Sequence, residues 1–135
     1  MGISIEAYDA MVKIYSVLTK NGKRTNEEPK LLPAKGEVIR FKDGTFLEKQ
    51  LWFVHLCSSP LHVEEGKWQL LDLKTTTRVA VADSRAEVIA KAYARLKEKA
   101  TAPMFLLKAR RHWFQIVGKA EQSILEAQFK KHQSE

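Results

Sequence analysis

His55, Cys57 and His62 fall within eight residues, in the stretch HLCSSPLH. A thiolate beside an imidazole is the arrangement of a cysteine nucleophile, and the same residue types ligate zinc. In an extended strand His55 and Cys57 point to one side of the sheet. Zinc, however, normally takes four ligands, and no fourth donor stands at a regular spacing from these three. Cys57 is the only cysteine, so no internal disulfide forms, and it ends an apolar run, LWFVHLC, where cysteine usually serves packing. No catalytic residue, metal ligand or cofactor is assigned from this cluster.

A second constellation lies just downstream. Asp72-Leu73-Lys74 follows Glu64 and Glu65 across an expected turn. This resembles the acid, then acid-x-lysine, arrangement of metal-dependent nucleases, in which two carboxylates hold Mg²⁺ and a lysine orients the attacking water. The likeness lacks the proline-aspartate lead-in, because Pro60 is followed by Leu61. It implies metal-dependent cleavage centred on Asp72, and it ranks third, behind two binding functions. The chain has no GxGxxG or GxxxxGK phosphate loop, no GxSxG, and no CxxC, HExxH or EF-hand pattern.

The third candidate is a stretch of mixed basic and aromatic residues, LLKARRHWFQIVGKA, at 106–120. On a helix, Leu106, Ala109, Trp113, Ile116, Val117, Ala120, Ile124 and Ala127 share an apolar face. That places Trp113 in a packing stripe rather than on a base-stacking platform. Lys108, His112, Lys119 and Lys130 fall roughly opposite, with Arg111 beside them and Arg110 and Lys131 as secondary members. These cations form a ridge suited to phosphates, interrupted by Glu126, and a merely solvated face would have the same pattern. Arg78, Arg85 and Lys91 extend the basic surface. Leu107, Phe114 and Leu125 make a second apolar stripe, suited to another helix or to a second copy of the chain.

Charge supports a polyanionic partner. The 135 residues carry 23 Lys/Arg against 16 Asp/Glu, a net of +7. Residues 1–67 have a net of +1 and residues 68–135 a net of +6, so the expected binding surface lies in the C-terminal half. Hydrophobic residues at 44% and charged residues at 29% fit a folded globular chain. No apolar run is long enough to span a membrane, and the first residues lack the basic start and apolar stretch of a secretory signal, so a cytoplasmic location is expected.

The elements that must position these residues are read as one α+β domain over 1–135. Ser4 caps an N-terminal helix with Ile5, Tyr8, Met11, Val12, Tyr15 and Leu18 on one face, ending at Asn21-Gly22. Residues 23–35, with two prolines and clustered charge, read as an exposed connector. A four-stranded antiparallel meander follows: a hairpin turning at Asp43-Gly44 into LWFVHLC, then KWQLLDL and TRVAVA, joined near Lys74-Thr75-Thr76. Ser84, three residues before Glu87, starts a helix bearing Ala86, Ile89, Ala92, Tyr93 and Leu96. Pro103 marks a break, and a last helix runs from about Met104 to Lys131. Both C-terminal helices pack on the sheet.

The function expected from these observations is non-enzymatic binding of the nucleic-acid backbone by the C-terminal half. The alternative is a protein-interaction module, such as a small inhibitor or adaptor, that presents the same basic face to an acidic protein surface.

Overall fold

The computed structural model describes residues 4–16, 19–20, 23–24, 30–44, 46–57, 66–98, 101–116 and 118–133. Its strands are β1 (Ile5–Ser16), β2 (Thr19–Lys20), β3 (Lys23–Arg24), β4 (Lys30–Phe41), β5 (Trp52–Leu56), β6 (Trp68–Asp72) and β7 (Arg78–Ala82). Its helices are α1 (Arg85–Lys97), α2 (Thr101–Ile116) and α3 (Lys119–Gln133), with a short 3₁₀ turn at Phe46–Lys49. The class is α+β, with a five-stranded antiparallel sheet in the order β1-β4-β5-β6-β7.

The four strands expected from sequence are β4 to β7. The fifth, β1, replaces the N-terminal helix. Residues 5–16 satisfy two periods at once. Ile5, Tyr8, Met11, Val12 and Tyr15 recur at helical spacing, but Tyr8, Ala10, Val12 and Ile14 also alternate with Ala7, Asp9, Met11 and Lys13. Pairing along all twelve residues of β4 selects the alternation, and β-branched and aromatic residues suit it. The same pairing corrects the connector: residues 30–35 form the first half of β4, and Lys23–Arg24 pairs with Thr19–Lys20. Pro33 sits opposite Lys13 in a part of β4 beyond the reach of β5, which pairs only with Glu37–Ile39. A missing amide costs no ladder bond there.

The turn after β4 contains the expected positive φ, 77° at Gly44. It opens into the 3₁₀ turn rather than closing as a tight hairpin. Glu48 stitches it, accepting from the Gly44 amide at 2.9 Å through its carboxylate and from Arg40 through its carbonyl.

Alternation divides the sheet into two buried faces. Ile39, Phe41, Trp52, Val54, Leu70, Val79 and Ala80 pack under Val88, Ile89, Ala92 and Leu96 of α1 and Leu106 of α2. Val12, Ile14, Ala34, Val38, Leu51, Phe53, Leu71 and Leu73 form the other face, with Phe129 of α3 against them. The two C-terminal helices therefore cover opposite faces. Ser84 caps α1 as expected, its hydroxyl accepting from the Glu87 amide at 3.2 Å.

The single last helix expected over 104–131 is two helices, α2 and α3, separated at Gly118. The break resets the register. In α3 it is Leu125, fully buried, and His132 that turn inward, while Ala120, Ile124 and Ala127 are exposed. Leu125 is thus unavailable to a second copy, whereas Leu107 remains 51% exposed. The side chains of Trp113, Phe114, Ile116 and Val117 lie outside the described residues.

Both sheet edges are guarded by side chains. At β7, Arg95 and Lys91 of α1 donate to the carbonyls of Val79 and Val81 at 2.7 and 3.0 Å. At β1, the Gln128 carboxamide accepts from the Lys13 amide at 2.7 Å and donates to the Lys13 carbonyl at 3.1 Å, the two bonds a neighbouring strand would make. No described helix is long and apolar enough to cross a membrane.

Candidate nucleic-acid interface

The cations sort by what they already hold. Lys108 and Arg111 on α2, and Lys119, the first residue of α3, are exposed and have no acidic partner among the described residues. Lys130 and Lys131 in the last turn of α3 are exposed as well. Because α2 and α3 lie on opposite faces, Lys108 and Arg111 do not continue into Lys130 and Lys131 as one ridge; the expected line of cations depended on a single uninterrupted helix.

The secondary members differ. Arg110 is half-buried, donates to the Gln50 amide oxygen at 3.3 Å, and holds its Nε in a buried position with no hydrogen-bond acceptor among the described residues. Arg85 forks onto the Glu37 carboxylate at 2.5 and 3.0 Å, and that carboxylate raises the guanidinium pKa above its ordinary value. Lys91 is occupied at the β7 edge, and Arg78 is exposed.

Sequence reasoning missed Lys13 and Lys35. They stand on the exposed face of β1 and β4, opposite Pro33 and Met11 respectively, and their side chains have no acidic partner among the described residues. The signal was present as alternating exposed charge, but a helical reading of residues 5–18 and a connector at 23–35 hid it.

The chemical candidates are built as structure. His55 is buried, stacked on Phe53 with ring centroids 5.4 Å apart, and its Nε2 lies 2.6 Å from the Gln69 amide nitrogen. Cys57 is also buried, with its backbone bonded to Lys67 and Gly66. His62, Glu64 and Glu65 lie outside the described residues. Asp72 is buried at the end of β6, where its carboxylate accepts from the Thr75 hydroxyl at 2.7 Å and the Lys74 amide at 3.2 Å. Burial holds this carboxyl above its ordinary pKa, against the pull of the Thr75 bond, the Lys74 amide and the Arg110 charge. The Lys74 ammonium lies over Phe129, 5.6 Å from the ring centroid. This carboxylate shapes a turn in which Thr76 takes φ 60°; both its oxygens are engaged rather than presented to a cation. Among the described residues no group of His, Cys, Asp and Glu could hold a metal ion.

Comparison with known proteins gives no family: no family model, no curated protein and no solved structure matches the chain.

Proposed function

We propose that this protein is a non-enzymatic binding domain for the nucleic-acid backbone. The observation that carries the reading is the set of exposed cations, Lys108, Arg111 and Lys119, with no acidic partner among the described residues of a chain with a net charge of +7. Lys130 and Lys131, exposed on α3 at the opposite face of the sheet, offer a second, separate contact. Arg110, turned inward, supports α2 instead of reaching phosphate. A surface cation without a carboxylate is free to replace a condensed counterion, and that exchange favours binding to phosphates regardless of sequence.

The test is fluorescence anisotropy with labelled single-stranded and duplex oligonucleotides at low salt. Binding that weakens uniformly across sequences when Lys108 or Lys119 becomes Gln supports the reading. A folded wild type that binds no oligonucleotide at low salt overturns it.

A specific observation favours the alternative partner, an acidic protein surface. Met104 and Leu107, 48% and 51% exposed, share with Lys108 and Arg111 one outer face of α2 at i, i+3, i+4, i+7 spacing. A mixed apolar and cationic stripe fits a protein better than a phosphate chain. Under that reading Leu107→Asp abolishes capture of the partner while leaving oligonucleotide binding, if any, nearly intact.

A further inference from the structure

Residues 99–119 contain Lys99, Lys108, Arg110, Arg111 and Lys119 and no Asp or Glu, a net of +5. Most of this stretch is α2. Its inner side is fixed by burial: Leu106 and Ala109 are buried, and Arg110 is half-buried and bonded to Gln50. The outer side carries Met104, Leu107, Lys108 and Arg111. At 3.6 residues per turn these four fall within an arc of about 100° and along about 10 Å of helix. Met104 is 48% exposed and Leu107 51%. Lys108 and Arg111 have no acidic partner among the described residues.

The composition of this row selects its occupant. Phosphate contacts use the cations alone and leave a methionine and a leucine without a role. A second copy is disfavoured by charge. Two α2 helices laid together would set Lys108 and Arg111 against their own counterparts, with no acid in residues 99–119 to offset them. An acidic partner removes that repulsion. Shape then narrows its form, because a row at i, i+3, i+4 and i+7 is the kind of ridge that the groove of another helix accepts. The two kinds of side chain divide the work. Exposed charges add little affinity but steer and orient a partner, whereas covering Met104 and Leu107 removes apolar surface from water.

We propose that the outer face of α2 docks one amphipathic helix of a partner protein. The apolar face of that helix covers Met104 and Leu107, and its flanking Asp or Glu side chains meet Lys108 and Arg111. This rests on the acidic-protein reading of the stripe and names the partner's form and chemistry.

The experiment compares four labelled probes by fluorescence anisotropy at equal salt. The first is a synthetic peptide of about three heptads with Leu at a and d and Glu at e and g. The second has the same composition with its leucines spread around the helix. The others are poly-glutamate and a DNA duplex of about 20 base pairs. Two paired variants are compared with the wild type, Met104→Gln with Leu107→Gln and Lys108→Gln with Arg111→Gln. Glutamine keeps the helix propensity of the residues it replaces, and circular dichroism with an unchanged urea midpoint shows each variant to be folded. The wild type is expected to bind the ordered peptide at least about tenfold more tightly than its isomer or poly-glutamate. The apolar pair erases that margin and leaves duplex binding unchanged, and the cationic pair weakens the ordered peptide and flattens its salt dependence. Poly-glutamate or the isomer bound as tightly as the ordered peptide overturns the docking site. So does an apolar-pair variant that binds the ordered peptide as the wild type does. A wild type that binds the duplex but not the ordered peptide overturns the site and leaves the nucleic-acid reading standing. One that binds the ordered peptide with that margin, but no duplex at low salt, supports the site and removes the nucleic-acid reading. Binding of none of the four probes overturns both.

Discussion

Gly36 stands just before the stretch of β4, Glu37–Ile39, that pairs with β5. A Cβ there would run into the Val54 carbonyl oxygen and come within 2.8 Å of the His55 Cβ and the Phe53 ring. The close approach, and no special backbone angle, is what requires glycine. Gly36→Ala is expected to cost about 1–3 kcal/mol or more, as overpacking does in a dense core; a urea midpoint equal to the wild type would show that the strands can part without penalty. Asp72 makes the second residue-scale prediction. Burial raises its folded pKa above the ordinary carboxylate value, so the folded chain keeps this proton after the unfolded chain has lost it. Folded-state stability must then fall as pH rises from the ordinary carboxylate range, about 4, through the higher folded value, and stay lowered beyond it. Asp72→Asn removes that contribution. The stability of the variant relative to wild type should therefore grow across this window, and a difference that stays constant with pH would contradict the assignment. His55 and Cys57 were visible in the sequence as a pair on one strand, but only the tertiary structure shows that both are buried.

At the scale of elements, α1 was fully legible because its signals are local. A hydroxyl three residues before a glutamate, followed by apolar residues at helical spacing, needs no distant partner. Ser84→Ala should lower stability by about 0.5–2 kcal/mol, read from thermal or urea unfolding; no change would mean that the Glu87 amide finds water equally well. The last helix was less legible. Its apolar stripe extrapolates smoothly through residue 127, but α2 ends at Ile116 and α3, from Lys119, starts a new register. Leu125, fully buried, and Ile124, 40% exposed, separate the two registers. Leu125→Ala should cost about 2–5 kcal/mol, whereas Ile124→Ala should stay within about 0.5 kcal/mol. The reverse ordering would restore the continuous helix. β1 was misread for the opposite reason: its sequence satisfies both periods, and the partner that decides between them is far along the chain, from Lys30 opposite Ser16 to Phe41 opposite Ile5.

The molecule as a whole is a sheet with helices on both faces and blocked edges. Arg95 and Lys91 close one edge and Gln128 the other, so cations that sequence assigns to a binding surface can be consumed by the fold. The split of α2 and α3 across the sheet predicts how the remaining cations act together. On a short duplex, at most one of two paired variants, Lys108→Gln with Arg111→Gln or Lys130→Gln with Lys131→Gln, should flatten the salt slope by roughly 2. Equal flattening by both would require a continuous ridge that this topology does not provide. Net charge is a property of composition and survives any fold; its distribution over a surface depends on which strands turn out to be neighbours.

The sequence alone determined the elements whose causes are local: the second half of β4 and strands β5 to β7 in their alternating or apolar runs, the Ser84 cap, the positive φ at Gly44 and the charge available for a polyanion. Tertiary structure decided what depends on partners far along the chain. Pairing with β4 made residues 5–16 a strand, opposite faces of the sheet received α2 and α3, and burial turned Asp72, His55 and Arg110 inward. A period of 3.6 or 2 is written in neighbouring residues, whereas the face that an element buries is chosen by the free energy of removing one apolar surface from water against another.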